Sequence, residues 1–159
     1  MENKELNKVL KKRAVELGLC KKWQREWDGE ETRQELIEKF LMGMDFCLKN
    51  RYPRKEFIVA NFPEEMLRRN GVFVDEDFGS DGIATYGTLH AVVLLGKCRG
   101  RLRIDGYGAW TVYVADESDV EVSATGGALV FVEVWHDGKV TAKSDEESRV
   151  RVYERMVDG

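Results

Sequence analysis

The sequence predicts an α+β fold in which an N-terminal helical subdomain precedes a short β-solenoid. Three observations carry this prediction. Apolar residues in the first seventy positions recur every three or four residues, the spacing of a buried helix face. In the second half they alternate with polar residues, which indicates strands with one buried face. The alternating pattern also repeats every twenty residues, which indicates stacked coils of two strands each. One such apolar column holds Val92, Val112, Val132 and Val152.

The first two helices are predicted by apolar spacing. A stripe that ends before Gly18, a residue that commonly terminates helices, predicts the first one. The stripe consists of Leu6, Val9, Leu10, Ala14 and Leu17. Trp23 and Trp27 lie four residues apart on a short helix over 20–27, and we expect the pair to anchor a small core. An exposed aromatic binding pair is the alternative.

Capping signals predict the remaining helices. Thr32 and Glu35 fit a capping box, in which the two side chains satisfy free amides at a helix start. The longest helix is predicted from there to Asn50. Pro53 and Pro63 then each occupy a position where a first helical turn tolerates a missing amide. These signals predict helices over 32–50, 53–60 and 63–69.

Composition along the chain predicts three segments: a helical subdomain over 1–74, a connecting loop over 75–88 and a β-repeat over 89–155. A short strand over 72–74 ends the helical subdomain. The connecting loop is acidic and rich in glycine, and we expect it to be ordered because its apolar side chains need to pack. The β-repeat has seven predicted strands, about three and a half coils, over 90–95, 101–104, 110–114, 120–123, 129–135, 139–143 and 149–154.

An antiparallel β-sandwich or roll is the alternative architecture, because short strands at ten-residue spacing predict that too. Residues 135–138 could then form a hairpin turn. Matching is better at an offset of twenty than of ten, which favours the solenoid. The column that holds Cys98, Ser118 and Gly138 also favours it, since equivalent places in stacked coils share one space and only small side chains would fit there.

The composition is typical of a globular protein of the cytoplasm. The 159 residues are 43% hydrophobic and 34% charged, with a net charge of −4. Residues 1–70 carry 16 basic and 13 acidic residues, whereas residues 71–159 carry 9 and 16. The basic residues alternate with glutamates on helices, so we expect a solvated face and no nucleic-acid partner. No apolar run has the length of a signal peptide or membrane span, and we expect no membrane association.

The residues that usually carry chemistry form no recognisable site. Cys20, Cys47 and Cys98 lack the spacing of metal ligands, and we expect three reduced, packed thiols. His90 and His136 each lack a second ligand at a metal-like spacing. Phosphate-binding, hydrolase and metalloprotease motifs are absent from the sequence. We therefore predict a protein that is not an enzyme and that has no cofactor and no metal.

Two surfaces are candidates for binding. Aromatic residues that point away from a solenoid core predict contact with a protein partner, a second copy or the chain's own helices. They are Tyr113, Phe131, Trp135 and Tyr153. The last coil has too few residues after it to form a cap, so we expect a homo-oligomer that uses this end or the aromatic columns.

The second candidate is a row of arginines. Arg99, Arg101 and Arg103 alternate on one predicted strand, which would suit a small anionic ligand such as a nucleotide. A solvated outer face balanced by Glu121 is the alternative. A nucleotide-binding or nucleotide-sequestering protein is thus the second functional hypothesis, after an interaction or assembly protein.

Several stretches resemble a group of small proteins of gut Bacteroidetes and their phages and mobile elements, a group with no assigned activity. They are Glu16–Cys20 followed by Trp23 and Trp27, Asp45–Cys47, Tyr52–Pro53, Asn61–Phe62, Gly71–Glu76, Val92–Cys98 and Asp105–Gly106. The resemblance covers most of the chain in order. It implies a bacterial or phage setting, in the host cytoplasm or the virion, and a binding or assembly role.

Overall fold

A computed structural model describes residues 1–80, 83–84 and 90–155. The chain forms two compact units, Met1–Met66 and Leu67–Gly159. The first unit is helical, and a sixth helix crosses the division. The helices are α1 (Asn3–Glu16), α2 (Lys21–Glu26), α3 (Arg33–Met42), α4 (Met44–Asn50), α5 (Lys55–Asn61) and α6 (Glu64–Arg69).

Trp27 anchors the core of the helical unit, as its sequence position predicts. Its indole Nε1 donates a hydrogen bond to Oδ1 of Asn7 at 2.9 Å, and both residues are buried. The Asn7 amide in turn donates to the carbonyl of Glu31 at 2.9 Å. A buried polar group is tolerated when its bonds are made, and here one asparagine joins α1 to the segment before α3. Trp23 is only half-buried.

The capping box is confirmed, but the long helix that it was expected to begin is broken. The amide of Glu35 donates to Thr32 Oγ1 and the amide of Thr32 donates to Glu35 Oε1, both at 3.1 Å. The prediction of one helix to Asn50 is wrong because α3 ends before Gly43, whose φ of −106° and ψ of 34° are not helical. A Cβ on Gly43 would lie 3.5 Å from the Trp23 ring, so the break falls where an indole packs closely.

The second unit is a β-solenoid of about four coils. Its strands are β1 (Val72–Val74), β2 (Ile83–Ala84), β3 (Ala91–Leu95), β4 (Arg99–Asp105), β5 (Gly108–Val114), β6 (Asp119–Thr125), β7 (Ala128–Trp135), β8 (Lys139–Ser144) and β9 (Arg149–Arg155). Odd-numbered strands form a five-stranded sheet in the order β1-β3-β5-β7-β9. Even-numbered strands form a four-stranded sheet in the order β2-β4-β6-β8. Each coil therefore contributes one strand to each sheet.

The strand pairing confirms the solenoid and shows that the antiparallel sandwich is wrong. All pairs of neighbouring strands are parallel. From β3 onward, paired residues lie twenty positions apart, as in Val92 with Val112 and Val112 with Val132. These three valines are 0% exposed. The interior of the solenoid is thus built from the columns that the sequence repeat marks.

The repeat begins earlier in the chain than the sequence pattern shows. Strand β1, placed by the pattern at the end of the helical subdomain, pairs in parallel with β3 at an offset of twenty-one. Strand β2, within the predicted connecting loop, pairs with β4 at an offset of nineteen. Residues 81–82 and 85–88 of that predicted loop lie outside the described residues.

The corners that follow the five-stranded sheet share one backbone conformation. Asp75, Gly96, Asp116 and His136 occupy equivalent places and have φ values of 53°, 72°, 57° and 56°. A left-handed residue there reverses the chain direction between the sheets, and three of the four positions carry a side chain that tolerates it. Asp116 Oδ2 accepts a hydrogen bond from the Gly96 amide at 2.7 Å, which ties consecutive corners together.

A column of small residues lines the same corners, as predicted. Cys98 and Ser118 are both 0% exposed, and the Ser118 hydroxyl accepts from the Cys98 amide at 3.1 Å while it donates to the carbonyl of Gly96 at 3.1 Å. At Gly138 a Cβ would lie 2.5 Å from the carbonyl oxygen of Val114. Close stacking of the coils therefore excludes larger side chains from this column.

Candidate interaction surface

The last two strands, β8 and β9, form what we call the terminal coil. They are the final strands of the four-stranded and five-stranded sheets. Within the described residues, no strand pairs with the outer edge of either one. The edge of a parallel sheet presents backbone N–H and C=O groups that can pair with another strand. The terminal coil is therefore a potential site for strand addition.

The apolar columns of the core continue into the terminal coil, where they become exposed. Val132 is 0% exposed, whereas its register partner Val152 is 42% exposed. In the other sheet Val122 is fully buried and its register partner Ala142 is exposed. These two columns thus end in apolar side chains with no described coil above them, whereas the column of Val114 and Val134 ends in Glu154.

The four aromatic residues of the predicted binding surface differ in exposure. Tyr153 is 46% exposed, and its ring stacks on Phe131 with centroids 6.5 Å apart. Tyr113 and Phe131 are half-buried. Trp135 is only 3% exposed, and the Arg155 guanidinium lies 4.7 Å from its ring centroid. The expectation that Trp135 belongs to an exposed surface therefore does not match its position, because packing and a cation–π contact cover it.

The outward side chains of the terminal coil are mostly basic. Lys139 and Lys143 alternate on β8, and Arg149, Arg151 and Arg155 alternate on β9. Lys143 Nζ lies 2.8 Å from Glu121 Oε1, and Arg155 Nη1 lies 2.6 Å from Glu133 Oε1. These two basic residues therefore bind carboxylates of the preceding coil. This basic group was not among the predicted binding residues, although its signal is present in the odd-numbered residues of the last two strands.

The arginine row on β4 is held by bonds within the solenoid. Arg99 Nη1 donates to the carbonyls of Cys98 and Glu117, at 2.9 and 2.6 Å. Arg101 Nε donates to Glu121 Oε2 at 2.6 Å. Arg103 lies on the same strand and is exposed. An anion at Arg101 would have to displace a carboxylate that is already in place.

Glu121 is the centre of an ion-pair ladder across three strands. Hydrogen bonds from Lys143 and Arg101 lower the pKa of its carboxyl group. The basic partners come from the strand on each side, β8 and β4. An acidic side chain between two basic strands is therefore the local pattern of the outward face.

The thiols and carboxylates form no reactive cluster in the described chain. Burial raises the pKa of the Cys47 thiol to about 12, and burial also raises that of Cys98. Cys20 is exposed rather than packed, which corrects the expectation of three packed thiols. In residues 1–80, 83–84 and 90–155, no group of three or more His, Cys, Asp or Glu side chains is placed to hold a metal ion.

Comparisons with known proteins add no relative. No family model, curated protein or solved structure matches the chain. None of the described helices is both long and apolar enough to cross a bilayer. The candidate site is thus defined by the geometry of the terminal coil alone.

Proposed function

We propose that this chain is a non-enzymatic interaction protein that accepts a β-strand at its terminal coil, from a protein partner or from a second copy. The exposure of Val152 carries the proposal. Every other member of its column is fully buried between coils, so the column ends in a position suited to one more strand. Addition of a strand to an open sheet edge is a common mode of protein recognition.

Two features of the terminal coil support this role. The outer edges of β8 and β9 supply backbone donors and acceptors along six and seven residues, enough for a typical strand. The half-buried Val140 and Val150, which pack against the core, supply apolar contacts beside those edges. Main-chain pairing would give affinity, and the alternate side chains would give specificity.

The resemblance to proteins of gut Bacteroidetes and their phages is the support for the biological setting. In that setting we propose that the chain acts in the bacterial cytoplasm or as a component of the virion. A rigid solenoid that presents one open end suits an assembly role in either place, because each partner strand would extend a preformed sheet.

Hydrogen exchange of the terminal-coil amides tests the proposal. Amides that face the open edge of β8 and β9 should exchange fast in dilute protein. They should become protected either at high protein concentration or on addition of a strand-forming peptide. The peptide is end-blocked and copies residues 118–125 with Asp119 and Glu121 replaced by Asn and Gln, since β6 is the strand that pairs with β8 within the chain.

Val152→Lys should reduce that protection because it places a charge where the added strand would pack. Val59→Lys is the matched control: Val59 is also an exposed valine, 58% accessible, but lies on α5 in the helical unit. Fast exchange of the β8 and β9 amides at all protein concentrations and at millimolar peptide would contradict the proposal.

A further inference from the structure

We infer that the strand accepted by the terminal coil is an acidic protein segment, in which Asp or Glu alternates with apolar residues. This inference rests on the function proposed above and specifies the chemistry of the partner. The charges of the outward face specify the partner, because the inward positions of the inner coils are apolar and those of the terminal coil carry one charge, Glu154, in register with Val134.

The outward face of the inner coils pairs acidic with basic side chains between neighbouring strands. Asp119 on β6 is in register with Lys139 on β8. Glu121, also on β6, binds Lys143 on β8 and Arg101 on β4. In the four-stranded sheet, therefore, a strand with acidic outward residues lies between two strands with basic ones.

The last described strands of this alternating arrangement, β8 and β9, have mostly basic outward side chains. Outward positions of β8 hold Lys139, Thr141 and Lys143, and those of β9 hold Arg149, Arg151, Tyr153 and Arg155. None of these seven side chains is acidic. Strand β6, with its acidic outward residues, pairs with one edge of β8. A strand added to the other edge of β8, with Asp or Glu at outward positions, would repeat that pairing, and opposite charges on adjacent strands stabilise it.

A second copy matches this surface poorly. The five-stranded sheet extends one strand beyond the four-stranded sheet, so a twofold axis along the strands would place β9 of one copy antiparallel to β8 of the other. The outward residues of β8, two of which are lysines, would then face the outward residues of the partner's β9, three of which are arginines. Like charges directly opposite each other destabilise a strand pair, and basic edges are a known means of preventing self-association.

Pairing of β9 with the β9 of a second copy has the same defect. In a twofold arrangement centred on Val152, Arg149 would lie opposite the partner's Arg155. The open backbone edge and the apolar columns between the charges favour a polypeptide over a nucleic acid, which offers phosphates but neither strand hydrogen bonds nor alternating apolar side chains. The occupant that fits the edge, the columns and the charge is an acidic strand.

Three matched peptides test the inference. Each is end-blocked and copies residues 118–125, with the native Asp119 and Glu121, with Asn and Gln, or with two lysines in their place. Affinity is measured by fluorescence anisotropy, and the site is read from amide exchange in β8 and β9. We expect the acidic peptide to bind at least about tenfold more tightly than the neutral one at low ionic strength, and the basic peptide to bind weakest. The advantage should largely vanish at 0.5 M NaCl, where the Debye length is about 4 Å.

Charge reversal in the protein provides the matched variant. Lys139→Glu combined with Arg151→Glu should remove the preference for the acidic peptide and favour the basic one. Lys12→Glu combined with Lys97→Glu changes the net charge equally, at exposed sites outside the terminal coil, and should leave the preference intact. Thermal unfolding confirms that each variant is folded.

The outcomes separate the two proposals. Equal binding of the acidic and neutral peptides, with protected terminal-coil amides, overturns the acidic partner but leaves strand addition standing. Absence of protection by any peptide, together with no protection at high protein concentration, overturns both. Protection by a single-stranded oligonucleotide at lower concentration than by the acidic peptide, or dimerisation of the unmodified protein through β9, also overturns the inference.

Discussion

Val132 and Val152 are register partners on adjacent parallel strands, yet Val132 is fully buried and Val152 is 42% exposed. The two residues have the same type and the same inward direction. Val132 has a neighbouring coil on both sides, whereas Val152 has a described coil on one side. Burial in a solenoid depends on neighbours above and below, because each coil contacts only the adjacent ones. The pair therefore separates the effect of coil stacking from that of residue type.

Substitution by aspartate at these two valines should have very different costs. Val132→Asp places an unpaired carboxylate between two coils and should destabilise the solenoid by about 3–5 kcal/mol, or force the group to stay protonated. Val152→Asp should cost less than about 1 kcal/mol because the carboxylate stays hydrated. Urea unfolding followed by circular dichroism measures both. Similar costs at the two positions would contradict the open end of the solenoid.

Cross-linking across β5 and β7 should report the parallel register directly. Tyr113 and Glu133 are Cα partners in the five-stranded sheet, so cysteines there lie about 5 Å apart. A short thiol-reactive cross-linker should join them within the folded monomer, in a background where the exposed Cys20 is replaced by serine.

A cysteine pair at 131 and 141 is the control for this experiment. Those positions would be neighbours across a hairpin in an antiparallel sandwich, but they belong to different sheets of the solenoid. Efficient linkage of 131 with 141, and none of 113 with 133, is the result that would refute the fold. Peptide mapping by mass spectrometry identifies the linked pair.

Gly138→Ala should destabilise the solenoid for a steric reason. The new Cβ would lie 2.5 Å from the Val114 carbonyl oxygen and 3.1 Å from that of Trp135, so backbone must move, at a cost of about 2–3 kcal/mol. Gly106→Ala is the matched control, since nothing lies within 4 Å of its Cβ position and only its left-handed φ of 113° is strained, at about 1 kcal/mol. Thermal unfolding of the two variants compares them, and an equal loss would mean that the coils are not closely stacked at this corner.

Protonation of Glu121 breaks its ion pairs, so the stability of the unmodified protein should fall with pH in the acidic range. Its folded-state pKa lies below the ordinary value of 4.5, so the charged form stabilises the fold at neutral pH. That contribution is present above pH 4.5 and is lost as the pH falls through the folded-state pKa. Glu121→Gln should therefore lower the urea midpoint at pH 7 and converge with the unmodified protein near pH 2.

Glu117→Gln is the control for the pH experiment. Glu117 is 63% exposed and lies 3.7 Å from Lys97, a looser pair than those of Glu121. Exposed pairs of that kind contribute little, so its urea midpoint should follow that of the unmodified protein at every pH. A constant difference between Glu121→Gln and the unmodified protein from pH 7 to pH 2 would show that the ion pairs do not act through this carboxylate.

Local patterns were sufficient to predict the helices that have their own start and stop signals. The first helix ends next to Gly18 as expected, and the capping box at Thr32 begins the third. The break at Gly43 was not predictable, because a single glycine inside a helical pattern is usually tolerated and the Trp23 ring beside it is a tertiary contact. Burial of Trp135 likewise depends on surrounding packing and on Arg155, twenty residues later, which covers its ring.

The twenty-residue repeat predicts the solenoid from β3 onward, because stacked coils place equivalent residues in one environment and so favour the same residue type every twenty positions. It did not reveal the first coil, where offsets of twenty-one and nineteen in β1 and β2 remove the exact repeat. Which members of each column are covered depends on the packing of neighbouring coils, which the repeat does not show. The terminal coil repeats the inward pattern only in part, with Val152 in register with Val132 but Glu154 in register with Val134. Val152 is exposed because no further described coil covers it, since burial depends on neighbours in space.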